Sequence, residues 1–112
     1  MSKFEIKKDK AEEFRFNLKA ANGQVVLSSE GYKVKANCLK GIESVRKNSQ
    51  VDERFDRKET ENGFRFNLKA TNGQVIGTSQ AYKSLTAMEK GVLSVKTNAP
   101  DAGIEDNSAE ES

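Results

Sequence analysis

Residues Phe14 to Val25 read FRFNLKAANGQV, and fifty residues later Phe64 to Val75 read FRFNLKATNGQV. Extended without a gap, Phe14–Asn48 aligns with Phe64–Asn98, and 19 of the 35 pairs are identical. A fixed internal period marks a duplicated structural unit. With only two copies, one closed unit with pseudo-two-fold symmetry is expected rather than an open array.

Within each copy the apolar period is two. Phe14, Phe16, Leu18 and Ala20 alternate with Arg15, Asn17 and Lys19, the pattern of a half-buried strand. Asn22-Gly23 then marks a tight hairpin. A two-residue type I′ loop there would pair Ala20 with Val25 and Leu18 with Leu27, keeping apolar residues on one face. The second copy would pair Ala70 with Val75 and Leu68 with Gly77. Upstream, Phe4 and Ile6 alternate with Glu5 and Lys7, which gives a first strand and a polar turn over residues 9–13. Phe55 opens the corresponding strand of the second copy, and Asn62-Gly63 turns the chain before Phe64.

Downstream the period lengthens. Cys38, Ile42 and Val45 stand at i, i+4 and i+7, as do Met88, Val92 and Val95. Each set predicts a helix of about 13 residues with one apolar stripe. Ser84 is an N-cap residue type, and Asn48 and Asn98 suit the C-terminal ends. Gly41 and Gly91 lie inside these helices, where glycine costs about 1 kcal/mol against alanine. Close packing of helix on sheet is the expected return. Ala99-Pro100-Asp101 stops the second helix, and Ala102 to Glu105 predicts one short closing strand. One domain over residues 1–106 follows, with repeat one at 1–50 and repeat two at 51–106. Residues 107–112 read as a disordered acidic tail.

Composition narrows the chemistry. The 112 residues contain no histidine, one cysteine and one proline. Serine–histidine and cysteine–histidine nucleophile pairs, histidine metal sites, an internal disulfide and a cysteine-rich zinc site are therefore excluded. No phosphate-binding glycine loop occurs, and no cofactor is expected. No apolar run approaches the roughly 20 residues of a membrane span, and the N-terminus lacks the apolar core of a signal peptide. A cytoplasmic, monomeric protein is expected. The formal charge of +2 divides unevenly: residues 101–112 carry five acids and no Lys or Arg, so the rest of the chain is basic.

The two strand blocks, the tyrosines Tyr32 and Tyr82 that follow them, and the segments KGIESVRKN and KGVLSVKTN resemble the YegP-like family of small bacterial proteins. The resemblance runs from about Phe4 to Asp106. It implies an α+β fold of two βββαβ units sharing a single antiparallel sheet, two helices packed on one face, and C-terminal strands exchanged between the repeats. The segment around Arg54–Lys58 would then close unit one and open unit two, and the strand at Ile104 would find its partner in the first unit. The family brings no activity and no catalytic residues.

Four groups of side chains are candidates for function. Arg15, Asn17 and Lys19, with Arg65, Asn67 and Lys69, point away from the phenylalanines and offer bidentate and charge-assisted hydrogen bonds to an anion. Tyr32 and Tyr82 stand between hairpin and helix, where each could border a cleft or anchor the helix start. Cys38 shares its apolar stripe with Ile42 and has Met88 as its counterpart, so a buried thiol is expected. Glu12-Glu13 and Asp52-Glu53 have no matching carboxylate in the other copy, and Glu30 and Glu43 are replaced by Gln80 and Leu93. A paired-carboxylate site is not expected. These residues describe a non-enzymatic binding or accessory module, its candidate surface the duplicated strand face. Two alternatives remain: binding of nucleic acid or another polyanion by that basic face, and an enzyme acting on a small anionic substrate.

Overall fold

The computed structural model describes residues 1–108. The elements follow the chain as β1 (Lys3–Lys8), β2 (Phe14–Lys19), β3 (Val25–Ser28), α1 (Lys35–Asn48), β4 (Phe55–Thr60), β5 (Gly63–Lys69), β6 (Val75–Thr78), α2 (Leu85–Asn98) and β7 (Gly103–Asp106). Single 3-10 turns at Asp52–Arg54 and Ala99–Asp101 follow the two helices. The seven strands form one sheet in the order β4-β5-β6-β3-β2-β1-β7, with the pseudo-two-fold between β6 and β3.

The repeats are interleaved at both ends. After α1 the chain passes directly into β4, at the far edge of the second half-sheet. After α2 it returns to the edge of the first, where β7 pairs with β1 and Ile104 lies opposite Phe4. Six neighbouring strands are antiparallel, but β7 runs parallel to β1. The wholly antiparallel sheet of the sequence reading is corrected there. Hairpins force antiparallel neighbours, whereas a strand that arrives from a helix is free to pair in parallel.

The hairpin loops also differ from expectation. Gly23 is left-handed (φ +86°), yet Asn22 is not, which excludes a type I′ turn. The Gly23 N–H donates to the Ala20 carbonyl at 2.9 Å, and Ala20 N–H donates to the Gln24 carbonyl at 2.9 Å. The loop is therefore Ala21–Gly23, and Ala20 faces Gln24 rather than Val25. The register slips between Leu18 and Lys19, while Leu18 still faces Leu27. Asn22 favours this loop because its Oδ1 accepts the Gln24 N–H at 3.0 Å. The second copy repeats the arrangement, with Gly73 at φ +86° and Leu68 facing Gly77.

Both helices cover one face of the sheet, and their predicted stripes are buried there: Cys38, Ile42 and Val45 from α1, Met88, Val92 and Val95 from α2. Each repeat centres on an aromatic ladder. Phe4 meets Phe16 edge-on (5.8 Å between centroids), and Phe16 stacks on Tyr32 (6.4 Å, 11°). Phe55, Phe66 and Tyr82 repeat this at 5.6 and 6.4 Å. Ser84 caps α2 by accepting the Ala87 N–H at 3.0 Å, while Val34 at the same place in α1 supplies no side-chain cap. The helices end on Asn48 and Asn98, whose amides donate to the Ser44 and Ser94 carbonyls at 2.8 Å.

The sequence predicts a disordered acidic tail from residue 107, but Asn107 and Ser108 are packed. Asn107 donates to Glu5 at 2.7 Å, and Ser108 is buried. Residues 109–112 lie outside the described residues.

Candidate functional site

The helix-free face of the sheet carries the strand triplets that the sequence singles out. In the first repeat they are committed to neighbours. Arg15 Nε lies 2.6 Å from Asp9 Oδ2, Asn17 Oδ1 accepts from the Ser28 hydroxyl at 2.8 Å, and Lys19 Nζ lies 2.7 Å from Glu5 Oε1. Lys19 holds the buried Glu5 carboxyl below its ordinary range, against the opposing cost of burial, with help from Asn107 and Lys7.

In the second repeat only part of this recurs. Asp56 replaces Glu5 and lies 3.3 Å from Lys69 and 3.7 Å from Lys58. Arg65 has no acidic partner among the described residues. The acid that holds Arg15 belongs to the long turn at residues 9–13, and the second repeat has only Glu61-Asn62 between Thr60 and Gly63. Across the ladder Arg65 faces Lys58, as Arg15 faces Lys7. Each repeat thus places two cations directly opposite one another, an arrangement that costs a few tenths of a kcal/mol to about 1 kcal/mol unless an anion offsets it.

The equivalence of Glu5 and Asp56 is missed by the sequence reading. Upstream of Phe14 the offset changes from fifty to fifty-one, so Phe4 corresponds to Phe55, and the ungapped alignment does not bring the two acids together.

Tyr32 and Tyr82 are not primarily cleft residues. Each bonds through its backbone to the start of the second strand of its own repeat, with Phe14 N–H to Tyr32 O at 2.7 Å and Phe64 N–H to Tyr82 O at 2.8 Å. Their rings fill the space over Gly41 and Gly91, where a β-carbon would stand 2.6 and 2.4 Å from the phenol oxygens. Half-burial pushes both phenols above their ordinary range, and Glu30 adds to this at Tyr32. The hydroxyls therefore stay protonated donors at neutral pH. The outer side of Tyr32 does line a groove, where α1 meets the β5–β6 hairpin of the other repeat.

Cys38 is fully buried, and burial pushes its thiol up to about 11. It is no nucleophile in the folded chain. No group of three or more acids or cysteines with metal-binding geometry occurs among the described residues.

This duplicated α+β architecture places the chain in a known class. The chain belongs to the DUF1508 family, a domain of unknown function, and carries that domain twice, over residues 9–56 and 60–106. A UPF0339 protein encoded 5′ of the ptx operon in Stutzerimonas stutzeri is 64% identical over 55 residues, 49% of this chain and 50% of that protein. A UPF0339 protein of Pseudomonas aeruginosa is 56% identical over 62 residues, 55% of this chain and 56% of its own. The chain thus spans about half the length of these curated relatives in the match. A UPF0339 protein of Agrobacterium fabrum is 56% identical over 57 residues, 51% of this chain but 92% of its own length, so that relative is about one repeat long. The solution structure of YegP from Escherichia coli, a protein of unknown function, superposes with a TM-score of 0.91 at 46% identity, covering 96% of this chain and 93% of that one. That of a UPF0339 protein of Shewanella oneidensis gives 0.92 at 41% identity, covering 98% and 94%. Among the described residues no helix is long and apolar enough to cross a membrane.

Proposed function

We propose that the protein is a non-enzymatic binding module whose anionic partner docks on the helix-free face of the sheet. One observation carries this reading: Lys58 and Arg65 stand directly opposite each other, and no carboxylate pairs with Arg65 among the described residues. The same Lys–Arg pairing is kept in the first repeat, where Asp9 occupies the arginine. An anion bridging the second pair would offset the repulsion through charge-assisted contacts. The binding reading is favoured over catalysis because the chain has no histidine, its thiol is buried and its phenols are held protonated. A cytoplasmic location and a monomeric chain are part of the same proposal, and the single unpaired cysteine supports the location.

Nucleic acid is one partner of this chemistry. Among the described residues the exposed face lacks aromatic rings for base stacking, so contact would be to phosphates and insensitive to sequence. Anisotropy titration with labelled mixed-sequence RNA and DNA at low salt tests this. Binding is expected to weaken steeply between about 50 and 200 mM salt. Arg65→Ala is expected to cost more than Arg15→Ala, because Asp9 already engages Arg15. Co-purification by the wild type, compared with the double variant, extends the test to other anionic partners. If nothing anionic is retained by the wild type and lost with both arginines, the reading is wrong.

A further inference from the structure

The helix-covered face holds a second feature, independent of the open face. A groove runs along the seam between repeats, with α1 on one side and the β5–β6 hairpin on the other. It comprises adjoining hollows of about 440 and 500 Å³ that share Lys40, Ser44, Ala70 and Asn72. Tyr32 and Gln74 line its wider part.

The duplication tells which of these residues are free to vary. Six positions of α1 are exposed: 36, 37, 39, 40, 43 and 47. Five differ in α2, where Thr86, Ala87, Glu89, Leu93 and Thr97 stand for Ala36, Asn37, Leu39, Glu43 and Lys47. Only Lys40 is retained, as Lys90. Neither lysine pairs with an acid among the described residues, so retention has no ion pair to explain it. Exposed side chains away from structural contacts change with little effect on stability. A divergence of five in six shows that drift has had time to act on this surface.

Gln74 lines the same hollow as Lys40, is exposed and is identical to Gln24. The Gln74 side chain makes no hydrogen bond among the described residues. Other retained members of the groove have structural duties: Asn72 accepts the Gln74 N–H at 3.0 Å, and Ser44 accepts from Asn48 at 3.1 Å. The Lys40 and Gln74 side chains have none among the described residues, and from opposite repeats they line the same hollow.

We propose that each seam groove is a binding site for a small molecule bearing one anionic group, a carboxylate or a phosphate, and that the chain has two such sites. In the first, Lys40 takes the anion, and the Gln74 carboxamide and Tyr32 hydroxyl take the ligand's other polar groups. The pseudo-two-fold places Lys90, Gln24 and Tyr82 in the second. Positions 30, 43 and 47 distinguish the two: Glu30, Glu43 and Lys47 line the first groove, and Gln80, Leu93 and Thr97 are their counterparts, so the first carries two acids against one added cation. The first site therefore binds an anion more weakly.

Amide chemical-shift mapping of the whole chain, titrated separately with inorganic phosphate and acetate, reads this directly. Shifts are expected around both Lys40 and Lys90, saturating at lower concentration around Lys90. Whichever probe binds identifies the anion. Lys90→Met is expected to weaken the second site about tenfold, the worth of a charge-assisted contact, and to leave the first unchanged. Glu30→Gln is expected to strengthen the first site two- to threefold, as removal of a partly screened like charge allows. Shifts confined to the open sheet face would support the reading above and overturn this one. So would the absence of shifts with both probes, or shifts at the grooves that Lys90→Met leaves intact. Shifts confined to the grooves would do the converse.

Discussion

The Leu27 side chain occupies the space that a side chain at position 77 would need: a β-carbon on Gly77 would stand 2.6 Å from Leu27 Cγ and Cδ2. The two positions are equivalent in the repeats, and β3 and β6 pair across the pseudo-axis. Strict symmetry would set leucine against leucine there. The chain resolves the conflict with one large residue and one without a side chain. Gly77→Ala is expected to destabilise by about 1–3 kcal/mol through overpacking, and Leu27→Ala by about 2–5 kcal/mol. The double variant should lose clearly less than the sum, as measured by urea unfolding. Additive losses would show that the two positions do not share the space.

A second close approach holds each helix to its tyrosine. At Gly91 a β-carbon would come 2.4 Å from the Tyr82 oxygen and 2.7 Å from its ring, and the ring is held by stacking on Phe66. Alanine would gain about 1 kcal/mol of helix propensity, but the clash outweighs it, so Gly91→Ala is expected to be destabilising overall. Tyr82→Phe removes the nearer clashing atom, and combining it with Gly91→Ala should recover part of the loss in thermal unfolding.

The unequal helix caps allow a gain. Val34 is exposed and extended (φ −122°, ψ 133°), the backbone of an N-cap residue. Its equivalent Ser84 bonds to the Ala87 N–H. Val34→Ser is expected to stabilise by about 0.5–1 kcal/mol, and Ser84→Ala to cost about 1 kcal/mol. Denaturation midpoints should move in opposite directions.

Acid acts on the joint between β7 and α1. The Lys35 ammonium, 2.7 Å from Asp106, together with the Ser108 hydroxyl and N–H, holds that carboxyl at about 2 rather than 3.8. A lowered folded-state value means the stabilisation is complete above about 3.8 and is lost as pH falls through about 2. The pair is more than a third exposed, so its worth is at most about 1 kcal/mol. Asp106→Asn should lower the melting temperature at pH 7, with the difference from wild type closing between pH 4 and pH 2. A gap of constant size across that range would contradict this assignment.

Burial makes the thiol a reporter of unfolding. With Cys38 fully buried and raised to about 11, native protein should resist a thiol reagent at pH 8 and react completely in denaturant. Rapid native labelling would place Cys38 outside the core.

Strands, hairpins and helices were legible from local periodicity, since Phe16–Leu18 and Cys38–Ile42–Val45 declare their faces by spacing alone. The exchanged β7 was legible through the family resemblance. Its parallel direction was not, because no local signal says which way a strand after a helix will lie. The hairpin loop was misread because Asn-Gly serves both a two-residue and a three-residue turn. Of the candidate residues, the six strand side chains alternate with the phenylalanines, so period two alone assigns their face. Which of them had partners depended on Asp9, Glu5 and Asp56, set by turn length and by an offset that shifts upstream of Phe14. The groove residues Lys40 and Gln74 carried a signal in their identity with Lys90 and Gln24. It became readable only with the exposure of their neighbours.

The sequence by itself determined the repeated unit, the inward face of each strand and helix, and the absence of histidine chemistry, because periodicity and composition are local properties of the chain. Only the tertiary structure decided which of the two repeated strand arginines lacks an acid among the described residues, which glycine yields to Leu27, and that Lys40 of one repeat lines the same hollow as Gln74 of the other. Those are distances between residues far apart in the chain. They exist only once the two repeats have closed around their shared axis.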